Sequence, residues 1–223
     1  MGLKWPSVSL KDRDYESDRI GMQNETLRLV AGLGNPGKDY ENTRHNIGFT
    51  VIDHMARLFD IQLSTKKFDT IFGRGSIQGV PVILAKPQSF MNRSGRPLRQ
   101  LAGYYRIPSR EMLILHDDID LAFERLKIKE KGGDGGHRGI RSIIEAFGGG
   151  EFTRVRIGVG RGTRAREDGA DVAGHVLSRF NRSEARMLDR IIERSAEAVV
   201  MVLCQGVTVG MNRYNTKTND VQL

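Results

Sequence analysis

The stretch that decides the fold begins with the apolar run Leu27-Arg28-Leu29-Val30-Ala31 and continues as GLGNPGKDYENTRHNIG over residues 32–48. The apolar run predicts a short buried strand. The glycines, asparagines and single histidine that follow are poor core residues, so they predict a loop at the carboxyl end of that strand. Open α/β sheets usually bind ligands at this end of their strands. The stretch therefore predicts both the fold class and the place of a site.

Strand and helix patterns alternate along the rest of the chain. They predict a helix at 46–59, a hairpin turning at Gln78-Gly79, a helix from an N-cap at Ser94 to Tyr105, and a buried strand at 112–115. Further on they predict an edge strand at 126–129, a helix at 137–147, a strand at 154–159 and a long helix at 183–204 capped by Gly206. This order predicts one α/β domain with a mixed, mostly parallel central sheet and helices on both faces.

The two ends of the chain lack this patterning. Residues 1–24 are polar and partly acidic, which predicts a disordered N-terminal tail rather than a secretory or organellar signal. Residues 25–215 form the predicted domain, and residues 216–223 form a C-terminal tail. Met22 lies just before the first strand, so an alternative start at Met22 is a hypothesis.

The composition limits the class of protein. The net charge of +8 favours an anionic partner, most simply nucleic acid, although solubility alone explains such a charge equally well. The apolar runs are shorter than a membrane span requires. The single cysteine, Cys204, has no partner for an internal disulfide and lies in an apolar run, which predicts a buried thiol in a reducing compartment. We expect a cytoplasmic protein without a membrane segment.

His45 and Asp117 form the candidate catalytic pair. Asp117 follows the strand predicted at 112–115, so it lies near His45 if that strand neighbours the first one. A histidine beside an oriented carboxylate can take a proton from water. Each residue also has a structural interpretation, as a hydrogen-bonded histidine at a helix start and as an aspartate in a turn. His116 and His137 are interpreted as structural residues beside the site.

Asn35 and Asn92 each follow a strand and each carry an amide that can donate to and accept from an ester or peptide carbonyl. The residues alone leave open whether they act as turn residues instead. Taken together, GLGNPG at 32–37, TRHN at 43–46, FMN at 90–92 and HDDID at 116–120 form a specific set. With them, the chain from about residue 27 to about residue 215 resembles the bacterial-type peptidyl-tRNA hydrolase family.

The resemblance implies an activity and a role for particular residues. It implies that a monomer hydrolyses the ester between a peptide and the 3′-terminal ribose of tRNA, with neither metal nor organic cofactor. His45 would be the general base and Asp117 would orient it. The implied substrate-binding residues are Asn35, Tyr40, Phe90, Met91, Asn92 and Arg138. The resemblance also implies a 5′-phosphate clamp at Lys129 and Arg156, and a mobile lid at 171–180 with hinges at Gly169 and Gly174.

The chain departs from the family pattern in its glycine-rich loop. The family usually has His-Asn-Gly there, whereas this chain has His137-Arg138-Gly139. A guanidinium only donates, so it cannot replace both functions of an asparagine amide. We expect Arg138 to bind a carbonyl or a phosphate, and we expect the departure to affect peptide affinity more than the activation of water.

Two other functions remain as alternatives. A GxGxxG pattern at 32–37 follows a strand, as in dinucleotide sites, but residues 38–43 lack the apolar-faced helix that such a site requires. The second alternative is an RNA-binding relative without catalysis, which Arg138 favours and the retained pair of His45 and Asp117 opposes. The chain has no P-loop, zinc-ligand or serine-nucleophile pattern.

Overall fold

The protein is described here by a computed structural model that covers residues 26–161 and 172–216. The predicted N-terminal tail, Met22, Gly169 and residues 217–223 lie outside the described residues. The strands are β1 (Arg28–Gly32), β2 (Thr65–Lys67), β3 (Thr70–Ile77), β4 (Val80–Pro87), β5 (Met112–Asp118), β6 (Leu126–Lys129) and β7 (Thr153–Gly158). The helices are α1 (Ile47–Leu58), α2 (Gly95–Tyr104), α3 (Arg138–Phe147), α4 (Val172–Leu177), α5 (Arg182–Gln205) and α6 (Val207–Tyr214).

The seven described strands form one mixed sheet in the order β2-β3-β4-β1-β5-β7-β6. The central strands β4, β1, β5 and β7 run parallel to one another. The antiparallel pairs lie outside them and involve β2 and β3, β3 and β4, and β6 and β7. The predicted mixed sheet with a parallel centre is therefore confirmed, and β6 is the predicted edge strand.

Helices cover both faces of the sheet, as predicted, because successive side chains of each strand point to opposite faces. On one face Val30 and Leu113 pack with Ile52 of α1 and Val199 of α5. On the other face the adjacent strand residues Leu29, Ala31 and Ile114 pack with residues of α2 and α3, among them Leu98, Leu101, Ile140 and Ile143. Each face of the sheet is thus buried in its own apolar core.

Glycine lets α1 begin directly against the sheet. A side chain at Gly48 would place its Cβ 2.5 Å from the backbone nitrogen of Leu33 and 2.6 Å from the backbone oxygen of Leu115. Both distances are far below van der Waals contact, so only glycine fits at this point. This close approach holds the residues before Gly48, including His45, beside the carboxyl ends of β1 and β5.

The local predictions are confirmed except for two side chains. The hairpin turns at Gln78-Gly79, whose φ angles of 49° and 90° suit a tight two-residue turn. Ser94 precedes α2, but its hydroxyl donates to the carbonyl of Met91 instead of accepting from the first turn, so the expected side-chain cap is wrong. Cys204 is exposed, because it falls on the side of α5 away from the core, and its predicted burial is wrong.

Candidate active site

His45 and Asp117 meet at the carboxyl edge of the sheet because β1 and β5 are neighbours. Asp117 lies near the end of β5, and His45 lies in the short turn that precedes α1. Nδ1 of His45 is 2.8 Å from Oδ1 of Asp117. The carboxylate is almost fully buried, while the imidazole keeps a partly exposed edge. The structure therefore brings the predicted pair together with only the histidine open to solvent.

His137 also contacts Asp117, which the sequence interpretation did not foresee. Its Nε2 lies 3.0 Å from the same Oδ1 of Asp117. Its Nδ1 accepts hydrogen bonds from the backbone N–H groups of Gly139 and Ile140, so His137 is the N-cap of α3. An imidazole at this position is structural, as expected, but it is also a direct partner of the carboxylate.

These contacts fix which nitrogen of each ring carries the proton. Nδ1 of His137 accepts two N–H bonds, so its Nε2 carries a proton and donates it to Asp117. The ionised carboxylate only accepts, so Nδ1 of His45 is also a donor. Neutral His45 consequently keeps the lone pair on Nε2. This nitrogen can accept a proton from water.

The electrostatics of Asp117 keep it ionised. Burial alone would raise the pKa of this carboxyl, but its electrostatic interactions and hydrogen bonds with the rings of His45 and His137 outweigh burial and hold its pKa far below the ordinary range. Burial has the opposite effect on the pKa of the neighbouring His116, because an imidazole is charged when protonated. It lowers the pKa of His116 well below the usual value. Its Nδ1 donates to the carbonyl of Asp117 at 2.7 Å. Neutral His116 thus supports the strand end that carries the carboxylate.

Asn35 lies on the other side of the site and is held by two residues. Its side-chain oxygen accepts from the backbone N–H of Met91 at 2.7 Å. Its backbone N–H and carbonyl both bond to the amide of Asn46, at 2.8 and 2.9 Å. No described residue accepts a hydrogen bond from Nδ2 of Asn35, so this amide donor is available to a ligand. The sequence interpretation assigned no role to Asn46, which orients Asn35.

Except for Tyr40, the predicted site residues line one cavity of about 780 Å³. Its walls include Asn35, His45, Phe90, Met91, Asn92, Asp117, Lys129, Arg138 and Arg156, as well as Val172, Ala173, Val176 and Leu177 of α4. Phe90 is 54% exposed, which leaves its ring free to meet a ligand. Tyr40 is outside the cavity wall and packs edge-on against Phe90 with ring centroids 6.3 Å apart. Tyr40 thus reaches the wall through the exposed ring of Phe90.

Strands β6 and β7 bring the predicted phosphate-clamp residues to one face of the sheet. In their register Lys129 faces Arg154, and Lys127 faces Arg156, so Lys129 and Arg156 are diagonal neighbours within reach of long side chains. Arg156 is paired through Nε with Asp118. The buried Arg154 donates to the carbonyls of Gly132 and Gly133. Arg154 thus holds the glycine-rich loop and has little left for a ligand.

The carboxylates on the cavity wall are paired with arginines or histidines. Asp118 pairs with Arg156, Asp120 with Arg161, and Asp134 with Arg141. Among the described residues, Lys129, Arg138 and Arg154 are wall cations without an ion pair, and Arg154 donates instead to loop carbonyls. Arg138 is exposed at the first position of α3, directly after His137. The residue that departs from the family pattern is therefore an exposed positive charge on the wall of the site, without an ion pair among the described residues.

His45, Asp117 and His137 are the described residues that could hold a metal ion, since one ligand atom of each lies within 4.8 Å of the others. Mutual hydrogen bonds already satisfy these atoms.

The glycine stretch at 32–37 leads into two short turns, Lys38–Tyr40 and Arg44–Asn46, before α1 begins. A dinucleotide site would need a helix to start directly at that loop.

The helices within residues 26–161 and 172–216 include none with the length and hydrophobicity of a membrane span.

An α/β domain with a His–Asp pair at the carboxyl edge of its sheet, and an amide donor across a cavity, has the parts of a hydrolase that uses activated water. The sequence model of one family, described as peptidyl-tRNA hydrolase, matches residues 29–222. The chain belongs to the peptidyl-tRNA hydrolase family.

Individual relatives agree with this assignment. The chain is 44% identical to the peptidyl-tRNA hydrolase of Caldanaerobacter subterraneus subsp. tengcongensis, over 85% of this chain and 100% of the relative. It is 41% identical to the Bacillus subtilis enzyme, over 86% of this chain and 100% of the relative. The crystal structure of peptidyl-tRNA hydrolase from Acinetobacter baumannii matches with a TM-score of 0.77 and 38% identity, and covers 86% of this chain and 96% of that one.

Proposed function

We propose that this chain hydrolyses the ester bond of peptidyl-tRNA, releasing the peptide and free tRNA for reuse in translation. The observation that carries the proposal is the contact of His45 with Asp117, because it leaves a basic nitrogen of His45 free at the cavity. The relatives that are similar to the chain over nearly their whole length bear the name of this activity.

In the proposed reaction, Nε2 of His45 takes a proton from water as the water oxygen attacks the ester carbonyl carbon. Ionised Asp117 stabilises the imidazolium that forms, and its hydrogen bond keeps the ring oriented. The tetrahedral intermediate then expels the 3′-terminal ribose oxygen, which takes the proton from His45. The products are the carboxylic acid of the peptide, which releases its proton to solvent at neutral pH, and a tRNA hydroxyl, so atoms and charges balance.

The amides of Asn35 and Asn92 are proposed to hold the acyl end. Nδ2 of Asn35 is suited to donate to the carbonyl oxygen as it gains negative charge, since its Oδ1 is already bound to the backbone of Met91. Asn92 is exposed on the same wall. Phe90, Met91 and Tyr40, whose ring packs edge-on against that of Phe90, are proposed to supply surface for the peptide.

Lys129 and Arg156 are proposed to bind the 5′-terminal phosphate of the tRNA, and Arg138 is proposed to bind a carbonyl or phosphate near the ester. The support is that all three line the cavity and that Lys129 and Arg138 have no ion pair among the described residues.

We also propose that the protein works in the cytoplasm as a monomer and needs neither metal nor organic cofactor. A relative in Arabidopsis thaliana, 42% identical, is named as chloroplastic.

The proposal is tested with purified protein, N-acetyl-aminoacyl-tRNA and EDTA. We expect release of the acetylated amino acid, with the free-amine aminoacyl-tRNA spared, because an ester of a blocked amine resembles the peptidyl substrate. A protein that binds tRNA tightly but releases nothing would instead be a non-catalytic RNA-binding relative. The comparisons give that alternative no support, since the similar relatives are named as hydrolases.

A further inference from the structure

The turn that carries His45 is held from both sides by its neighbours in the sequence. Asn46 fixes one side through its paired hydrogen bonds with Asn35, a contact within the same loop. Arg44 fixes the other side and reaches a part of the chain more than 130 residues away. Within the described residues, the ring of His45 has one hydrogen-bond partner, which is Asp117. The placement of His45 therefore depends on how its two neighbours are anchored.

Arg44 is anchored in the connection between α4 and α5. Its Nη1 donates to the hydroxyl of Ser178 at 2.6 Å and to the carbonyl of Arg179 at 2.7 Å. Its Nη2 pairs with Glu184 in the first turn of α5. Its backbone N–H donates to the carbonyl of Ser178 at 3.1 Å. The guanidinium also lies 5.2 Å from the ring centre of Phe180.

This anchoring is internal to the protein. The side chain of Arg44 is 6% exposed and that of Glu184 is 17% exposed. A buried guanidinium is stable only when ion pairs and hydrogen bonds compensate its lost hydration. The burial of Arg44 therefore depends on these contacts. Oε2 of Glu184 also accepts from the backbone N–H of Asn181, which is the N-cap of α5. One carboxylate oxygen thus joins the start of α5 to the residue beside His45.

The connection also continues into the cavity wall. Helix α4, which ends at Leu177, supplies Val172, Ala173, Val176 and Leu177 to that wall. Ser178 and Arg179, the partners of Arg44, follow α4 directly. Arg44 therefore links the wall that faces the substrate with the turn that presents His45.

We propose that Arg44 is a positioning residue that sets the placement of His45 against Asp117 and the ester, through its contacts with Ser178, Arg179 and Glu184. The inference rests on the proposed role of His45 as the general base. Arg44 need not touch the substrate for this role. A displacement of a reacting group by about 1 Å can lower a rate by about 100-fold, so the loss of the anchor should lower kcat more than it changes KM.

The test compares variants on both sides of the contact with a matched control. Arg44→Met removes the charge and the forked donors, and Arg44→Lys keeps the charge with fewer contacts. Glu184→Gln weakens the pair from α5 and keeps an oxygen that can accept from Asn181. The control is Arg186→Met, because Arg186 is an exposed arginine of α5 without an ion pair among the described residues. Steady-state kinetics use N-acetyl-aminoacyl-tRNA and the full chain.

We expect Arg44→Met to lower kcat about tenfold or more with KM within about twofold. Arg44→Lys should recover part of the loss, and Glu184→Gln should lower kcat by less. The double variant Arg44→Met/Glu184→Gln should be no slower than Arg44→Met, since both changes break the same contact. Arg186→Met should keep the wild-type kcat. A wild-type kcat in folded Arg44→Met, or a loss that lies entirely in KM, would overturn the inference.

A second readout does not depend on activity. The Nδ1 proton of His45, which is hydrogen-bonded to Asp117, should be visible by NMR in the wild type and in Arg186→Met. It should exchange with water faster in Arg44→Met and in Glu184→Gln. Equal protection in all four proteins would contradict the positioning role. If Arg44→Met does not fold, Glu184→Gln supplies both readouts, and an inactive wild type with these NMR differences would refute the proposed function but not the anchor.

Discussion

Oδ1 of Asp117 lies 2.8 Å from Nδ1 of His45, and this contact determines which nitrogen of the histidine is free. The same oxygen accepts from Nε2 of His137 at 3.0 Å. The carboxylate is thus held by two donors, and its pKa is kept far below the ordinary range despite burial. An oriented and ionised Asp117 suits a neighbour that must become an imidazolium during the reaction.

The first prediction concerns Asp117→Asn. The amide is neutral and does not stabilise a charged His45, so we expect kcat to fall about 10³–10⁴-fold with a small change in KM. The measurement is the release of N-acetylated amino acid from tRNA. Asp189→Asn is the control, since Asp189 is exposed on α5 and has no ion pair among the described residues. A loss of less than tenfold in Asp117→Asn would contradict the role of the carboxylate.

The second prediction concerns the phosphate clamp. Arg156→Ala should weaken tRNA binding and reduce the slope of log K against log salt concentration by about 1, because one phosphate contact is lost. Binding is measured with tRNA that carries a 5′-phosphate and with the same tRNA after its removal. The variant should distinguish the two less than the wild type does, since Lys129 remains as the second clamp residue. An unchanged salt slope would remove Arg156 from the clamp and leave its ion pair with Asp118 as its role.

The third prediction concerns the departure at Arg138. Restoring the family residue with Arg138→Asn supplies both an acceptor and a donor, so we expect KM to fall by about threefold or more while kcat stays within twofold. Short and long peptidyl groups on one tRNA separate peptide contacts from tRNA contacts. If kcat falls instead, Arg138 assists the chemical step and the expectation is wrong.

The fourth prediction concerns the pH dependence of stability. Burial lowers the pKa of His116 well below its usual value, whereas the unfolded chain takes up this proton near pH 6.5. Below that pH the unfolded state binds more protons, so the free energy of unfolding should decrease as the pH falls, by at most about 1.4 kcal/mol per pH unit for this group. Chemical denaturation at pH 7.5 and 5.5 measures the decrease. The decrease should be smaller in His116→Asn, and an equal decrease would exclude His116 as its source.

The fold was predictable because each element carries its own local pattern. The alternation of strands and helices and the hairpin at Gln78-Gly79 depend on nearest neighbours in the sequence, and they are confirmed. The side-chain errors arise where a local pattern does not decide exposure or partner choice. Cys204 lies in an apolar run but faces solvent, and the hydroxyl of Ser94 finds the carbonyl of Met91 as its partner.

The site was predictable where a residue of suitable chemistry lies at or after the carboxyl end of a strand, as Asp117 does at the end of β5 and His45 does in the loop after β1. His137 was assigned only a structural role, because its contact with Asp117 depends on the path of the glycine-rich loop, which Arg154 fixes through loop carbonyls. The role of Arg44 was hidden for a similar reason, since Ser178 is 134 residues away. Long-range partners of this kind leave no local pattern.

The most direct test of the central claim is a single-turnover measurement on N-acetyl-aminoacyl-tRNA with the wild type and His45→Ala, together with tRNA binding by each. We predict that the wild type releases the acyl group rapidly and that His45→Ala binds tRNA equally well but hydrolyses it at least about 10³-fold more slowly. Release by His45→Ala at a rate close to that of the wild type would contradict the claim that His45 activates the water.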